Sequence, residues 1–129
     1  SSNCGGNFGY YLKKAGLDAL ILTGRCEKPS WIEIQNDKVI FHEADDIWGM
    51  KTSETQAALD EKLRMKNGRV RKNGKICIGP AGENLVLYSC IVSNERVSGR
   101  RDGSCHGLDA AKAVCASGNK EIGAIWSGW

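Results

Sequence analysis

The chain has no apolar stretch long enough to cross a bilayer. Its aliphatic runs, Leu20-Ile21-Leu22 among them, span a few residues, where a spanning helix needs about 20. The opening Ser1-Ser2-Asn3 lacks the charged-then-apolar pattern of a secretion signal. No Met stands at position 1, so the sequence reads as starting at a processed end, a trimmed end or an internal point of a longer protein. Together these features predict a soluble, cytoplasmic chain with no membrane partner.

No C-x-x-C pair occurs, which removes the paired-ligand pattern of zinc modules and the common thiol-redox motif. Six cysteines in 129 residues fall below the density of a small secreted disulfide scaffold. Reduced thiols are therefore the favoured reading. Cys77, between Ile76 and Ile78, and Cys90, in the apolar run 85–92, read as small core hydrophobes. An even count still permits three disulfides, so a secreted disulfide protein stands as an alternative. Cys105-His106 with Cys115 lacks metal-site spacing, and His42 and His106 read as incidental.

What is present is enough for one core. With 41% hydrophobic residues in 129, one globular domain over 1–129 is expected. The net charge is +3, but six of the 18 Lys and Arg (Arg64, Lys66, Arg69, Arg71, Lys72 and Lys75) share a stretch without a carboxylate, leaving 12 against 15 Asp and Glu elsewhere. That stretch has no aromatic residue on which a base would stack, and it carries the turn signals Asn67-Gly68 and Asn73-Gly74. It reads as a solvated loop whose glycines suggest a mobile hairpin or connector, and no nucleic-acid partner is expected.

Two glycine-rich turns stand out, Asn3-Cys4-Gly5-Gly6-Asn7-Phe8-Gly9 and Gly79-Pro80-Ala81-Gly82-Glu83-Asn84. Glycine lets backbone N–H groups approach an anion that a Cβ would hold off. The first turn runs into a short helix over 10–15, whose amino end would face a phosphate.

The remaining pattern is α+β, β-rich with two short helices. Residues 17–23 read as a buried strand stopped by Gly24. Residues 31–35 and 38–42 alternate about Asn36-Asp37 as a hairpin, with Ile32, Ile34, Val39 and Phe41 on its inner face. Ser53-Glu54-Thr55-Gln56 fits a capping box opening a helix over 54–64, with Thr55, Leu59 and Leu63 on one stripe and Ala58 beside them. Strands over 75–79 and 84–92 flank a tight reversal at Gly79-Pro80-Ala81-Gly82.

These motifs, taken in order, resemble part of the amino-terminal domain of tungsten-dependent aldehyde ferredoxin oxidoreductases. The resemblance runs from Asn3 through Arg100. It rests on Asn3-Cys4-Gly5-Gly6 with Phe8-Gly9, Leu12-Lys13-Lys14-Ala15-Gly16-Leu17-Asp18-Ala19, Gly24 with Glu27-Lys28-Pro29, and Ile47-Trp48-Gly49. Ser53-Glu54-Thr55, Ile78-Gly79-Pro80-Ala81-Gly82-Glu83-Asn84-Leu85-Val86 and Arg96 with Ser98-Gly99-Arg100 complete it.

The resemblance implies a domain that seats tungsten held by two pyranopterins, with magnesium bridging the two pterin phosphates. It carries a cofactor-binding role to Asn3, Gly5, Gly6 and Arg100, with Asn3 also a magnesium ligand through its amide oxygen, a suitable hard donor. The implied chemistry is oxidation of an aldehyde to a carboxylic acid, with electrons leaving through a 4Fe-4S cluster to ferredoxin. The cluster motif and the proton-handling residues belong to parts of the family beyond the matched region, so no catalytic residue is assigned. The remaining domains or a partner chain, and a homo-oligomer, are the implied partners. The family's domain also has an earlier segment, with a cofactor-contacting arginine, that finds no match here.

Segment 101–112 departs from the pattern. The family has a glycine-rich stretch of the form G-x-G-A-V-M-G-S-x-x-L-K-A that closes over the second pterin phosphate; here it reads Arg101-Asp102-Gly103-Ser104-Cys105-His106-Gly107-Leu108-Asp109-Ala110-Ala111-Lys112, and the pattern resumes at Ala113. Codons can be chosen for these twelve residues that, read one base later, spell the family pattern through Leu and Lys at the last two positions. A compensated frameshift is thus one expectation. The other is a degenerate, non-catalytic fragment serving as a structural or binding module, because Asp102 and Asp109 would repel a phosphate.

Overall fold

A computed structural model of the chain describes residues 5–87, 89–93, 96–100 and 111–120. Six strands form one mixed sheet in the order β2-β1-β6-β3-β4-β5. They are β1 (Ser30–Gln35), β2 (Lys38–Glu43), β3 (Gly74–Ile78), β4 (Cys90–Ser93), β5 (Arg96–Arg100) and β6 (Ala111–Ser117); the helices are α1 (Phe8–Lys14), α2 (Thr52–Lys62) and α3 (Pro80–Glu83). The α+β, β-rich class read from the sequence is the one observed. All neighbouring strands are antiparallel except β1 and β6, which run parallel.

The two longer helices cover opposite faces. On one face α2 buries Leu59 and Leu63 against Trp31, Ala44, Ile47, Cys77, Ala113 and Cys115. On the other, Phe8, Tyr11 and Leu12 of α1 pack with Ala15 over Ile32, Ile34, Val114 and Ala116. β6 lies between these layers, and all seven of its residues are buried, as expected of a strand covered on both faces.

Seven residues are too few for a helix to hold itself together, so tertiary contact fixes α1. Its entry passes directly over Gly74, where a Cβ would sit 2.7 Å from Asn7 O and from Phe8 Cα. Its exit lies against Gly118, and Lys120 N–H donates to Lys14 O at 3.1 Å. α1 begins two residues before the start expected from the sequence.

The hairpin has the expected register, with Ile32 opposite Phe41 and Ile34 opposite Val39. Asn36 supplies the positive φ, 52°. The inner face is only half as expected. Ile32 and Ile34 are buried, whereas Val39 and Phe41 are 47% and 62% exposed, because β2 is the sheet edge and α1 packs over the inner strands β6 and β3.

α2 starts earlier than the capping-box reading placed it. Lys51 is the N-cap, and Ser53 lies within the first turn. Glu54 Oε2 accepts the Lys51 N–H at 3.0 Å, and Thr55 Oγ1 donates to Lys51 O. The Thr55, Leu59 and Leu63 stripe is buried as expected.

Three further expectations are corrected. Residues 17–23 form no strand: Leu17, Leu20 and Leu22 lean on the α1-side core, Ile21 is 84% exposed, and the stretch finds no ladder partner among the described residues. Strand 84–92 shrinks to β4. Gly79-Pro80-Ala81-Gly82 begins a helical turn with Pro80 at its first position, and Leu85 then takes φ 59°, so the apolar residues 85–87 are spent leaving that turn. Cys90, read as a core residue, is exposed.

The basic stretch takes the hairpin form, one of the two expected for it, with Arg64 bridged antiparallel to Val70. Met65 N–H donates to Arg69 O, Arg64 donates to Gly68 O and pairs with Glu61, and Asn67 Oδ1 accepts the Arg69 N–H. Lys75 has left the stretch for β3, where it is 5% exposed and donates to Asp60 at 2.8 Å.

Candidate functional site

The registers sort the sheet into two ends. Ser30, Glu43, Ile78, Cys90, Arg100 and Ala111 lie toward one; Gln35, Lys38, Gly74, Ser93, Arg96 and Ser117 lie toward the other.

The Gly5-Gly6 bend belongs to the second end. Gly6 takes φ 92°, and a Cβ on it would come 2.7 Å from Ser93 Oγ, so the chain there admits little but glycine. Gly5 is exposed, and among the described residues nothing lies within 4 Å of the place a Cβ would occupy. The bend therefore has one glycine fixed by its neighbours and one facing open space, a main-chain surface that an anionic group can approach. Asn3 lies outside the described residues. Arg100 pairs through its backbone with Cys90 on β4, three positions along that strand from Ser93, or about 10 Å at the usual strand rise. The structure does not bring the Arg100 backbone beside Gly6.

At the Arg100 end the fold holds a charged network that the sequence reading missed. Lys112, on β6, is fully buried, and its side chain pairs with Glu83, whose own side chain is 5% exposed. Lys112 Nζ also donates to Met50 O at 2.8 Å. Both Glu83 oxygens accept the Gly49 N–H, at 2.9 and 3.1 Å. One ion pair thus ties α3, the turn at Ile47-Trp48-Gly49 and the first residues of β6 into one unit. The signal available in the sequence was a lone cation inside the small apolar run 110–116.

A groove of about 370 Å³ opens on the α1 side at this same end, lined by Ile21, Leu22, Arg25, Cys26, Phe41 and Ala111 among others. Arg25 has no ion-pair partner among the described residues.

The remaining polar residues build structure. His42 stacks on Trp31 with ring centroids 4.3 Å apart, and its Nε2 lies 2.7 Å from Glu33 Oε2, with Arg71 3.6 Å from the other oxygen. His106 lies outside the described residues. Cys26, Cys77, Cys90 and Cys115 carry free thiols, so the disulfide alternative finds no bridged pair among them. Burial pushes the Cys77 thiol up, and it pushes Cys115 to about 12, which makes both poor nucleophiles and poor metal ligands. Among the described residues no group of three or more His, Cys, Asp or Glu is arranged to hold a metal ion. No helix among them is long and apolar enough to cross a membrane.

The model of the aldehyde ferredoxin oxidoreductase N-terminal domain matches residues 1–118. The tungsten-containing aldehyde ferredoxin oxidoreductases of Pyrococcus furiosus and Thermococcus kodakarensis are each 37% identical to this chain over 123 residues, covering 94% of it and 20% of the relative. Among solved structures, the active site complex BamBC of benzoyl coenzyme A reductase, in complex with 1,5-dienoyl-CoA, aligns with a TM-score of 0.75 and 31% identity over 87% of this chain and 16% of that one. The chain spans about one fifth of the length of the curated relatives it matches.

Proposed function

The chain belongs to the aldehyde ferredoxin oxidoreductase family, and from that premise we propose that it forms the cofactor-seating surface of a cytoplasmic tungsten–pterin oxidoreductase whose electrons pass to ferredoxin. When bound, the tungsten pterin supplies the two-electron oxidation of an aldehyde to its acid, and a 4Fe-4S cluster held by the rest of the enzyme carries the electrons away. This chain's residues bind and orient. The main chain at Gly5 and Gly6 would run beside the pterin, Asn3 would offer an amide oxygen to magnesium, and Arg100 a cation to phosphate. The residues present suit a guest that brings its own metal ligands, since the open position at Gly5 leaves room for its approach.

That open Gly5 is the observation that carries the reading. It is exposed and no described residue lies within 4 Å of its Cβ position, so Gly5→Ala is expected to leave the thermal midpoint within about 1 °C while lowering cofactor retention. The measurement is tungsten by elemental analysis together with pterin fluorescence after oxidation, on protein purified from tungstate-fed cells. Tungsten and pterin retained together, and reduced in the variant, support the proposal. Their absence from the parent chain overturns it.

A second reading, a non-catalytic module that keeps the fold, is favoured by one observation: Asp102, His106 and Asp109 replace the glycine pattern where the phosphate would be closed over. A compensated frameshift across 101–112 would reconcile the two. The nucleotide sequence decides it, because a shifted frame that does not encode the glycine pattern ends that explanation.

A further inference from the structure

Residues 19–23 have the form of a strand without the ladder, ended by Gly24 at φ 78°. Leu20 and Leu22 pack on the α1-side core while Ile21 between them is 84% exposed, the period-two alternation of a pleated segment. The run 20–23 is also rich in the side chains that strands prefer. Yet residues 19–23 make no backbone hydrogen bond among the described residues. A row of free N–H and C=O groups beside an exposed apolar side chain is what a strand edge offers to an incoming strand. The groove beside it, about 370 Å³ and rimmed by Phe41 at 62% exposure, leaves room for one.

We infer that residues 19–23 are a docking edge for an added β-strand, an extended segment of alternating apolar residues supplied by the part of the family polypeptide that lies outside the region matched here. The occupant follows from two observations. Free main-chain donors and acceptors are satisfied by another extended backbone and not by a helix, whose own groups are already paired. The relatives also carry about four fifths of their length beyond the matched region, so the family polypeptide holds the segments that can supply it. The inference stands on this edge alone and is independent of whether any cofactor binds at Gly5.

The test uses the 129-residue chain and overlapping twelve-residue peptides tiled across the Pyrococcus furiosus relative outside the matched region, read by amide hydrogen exchange. At least one peptide is expected to slow exchange at residues 20–23 by tenfold or more. Ile21→Pro, which removes one of the unbonded N–H groups, is expected to abolish that protection while the circular dichroism spectrum stays unchanged. Ile21→Asp is the companion variant should proline perturb folding, and it is expected to weaken binding at least tenfold. Absence of protection by every peptide overturns the inference. So does slow exchange at 20–23 in the free chain that grows with protein concentration, which would make a second copy the occupant.

Discussion

Lys112 is the residue on which most of the Arg100 end depends. A fully buried ammonium is tolerable only when its charge and its donors are met, and here Glu83 and Met50 O meet them. Removing one partner strands the other. Lys112→Met is therefore expected to lower unfolding free energy by about 3–5 kcal/mol in urea titrations, because Glu83 is left charged and buried. Lys112→Met with Glu83→Leu should recover more than half of that loss, since the uncompensated charge goes with it. A single variant costing less than about 1 kcal/mol, the range of exposed pairs, would show that the pair is solvated. The residue also bears on the 101–112 question: the shifted frame keeps Lys at 112, so this anchor is common to both readings of the segment.

At the scale of elements, legibility followed how much of each signal is local. The β1–β2 hairpin was readable because Asn36 and the flanking alternation specify turn and register within twelve residues. The buried stripe of α2 was readable for the same reason. β6 was not. Its alanines have low strand propensity, its two-sided burial removes the alternation, and its partners β1 and β3 lie far away in sequence. Residues 17–23 show the converse, a strand pattern without a partner. At the candidate site, Gly5-Gly6 was legible as a glycine turn, whereas the left-handed φ of Gly6 and the close approach of α1 to Gly74 and Gly118 are set by packing that only the tertiary structure shows. Ala111 gives this scale its prediction. It lines the groove at the head of β6, and the shifted frame puts leucine there. Ala111→Leu should fill part of that space and stabilise by about 1 kcal/mol, roughly one to two buried methylenes, raising the thermal midpoint by about 3–5 °C. A lower midpoint would mean the position is already fully packed.

For the molecule as a whole, the two helices pressed on opposite faces of the sheet leave Cys115 in a dry layer, and that sets how stability responds to alkali. Burial raises its thiol from an ordinary value of 9.0 to about 12 in the folded chain, so between those values the unfolded chain releases a proton that the folded chain retains. The native state then binds more protons than the unfolded state, and stability falls as pH rises. Below pH 9 the contribution of Cys115 is fully present; it is lost progressively up to about pH 12, at up to about 1.4 kcal/mol per pH unit for one group. The comparison is with Cys115→Ala, which isolates this one group; its loss of stability over the same interval should be shallower by that slope even though the variant is less stable at neutral pH. Urea midpoints at pH 8, 9 and 10 measure it, with thiol labelling as a parallel readout: Cys90, which is exposed, should react in the folded chain, and Cys77 and Cys115 only on unfolding. Parallel pH profiles for parent and variant, or native-state labelling of Cys115, would mean that water reaches the layer between α2 and the sheet.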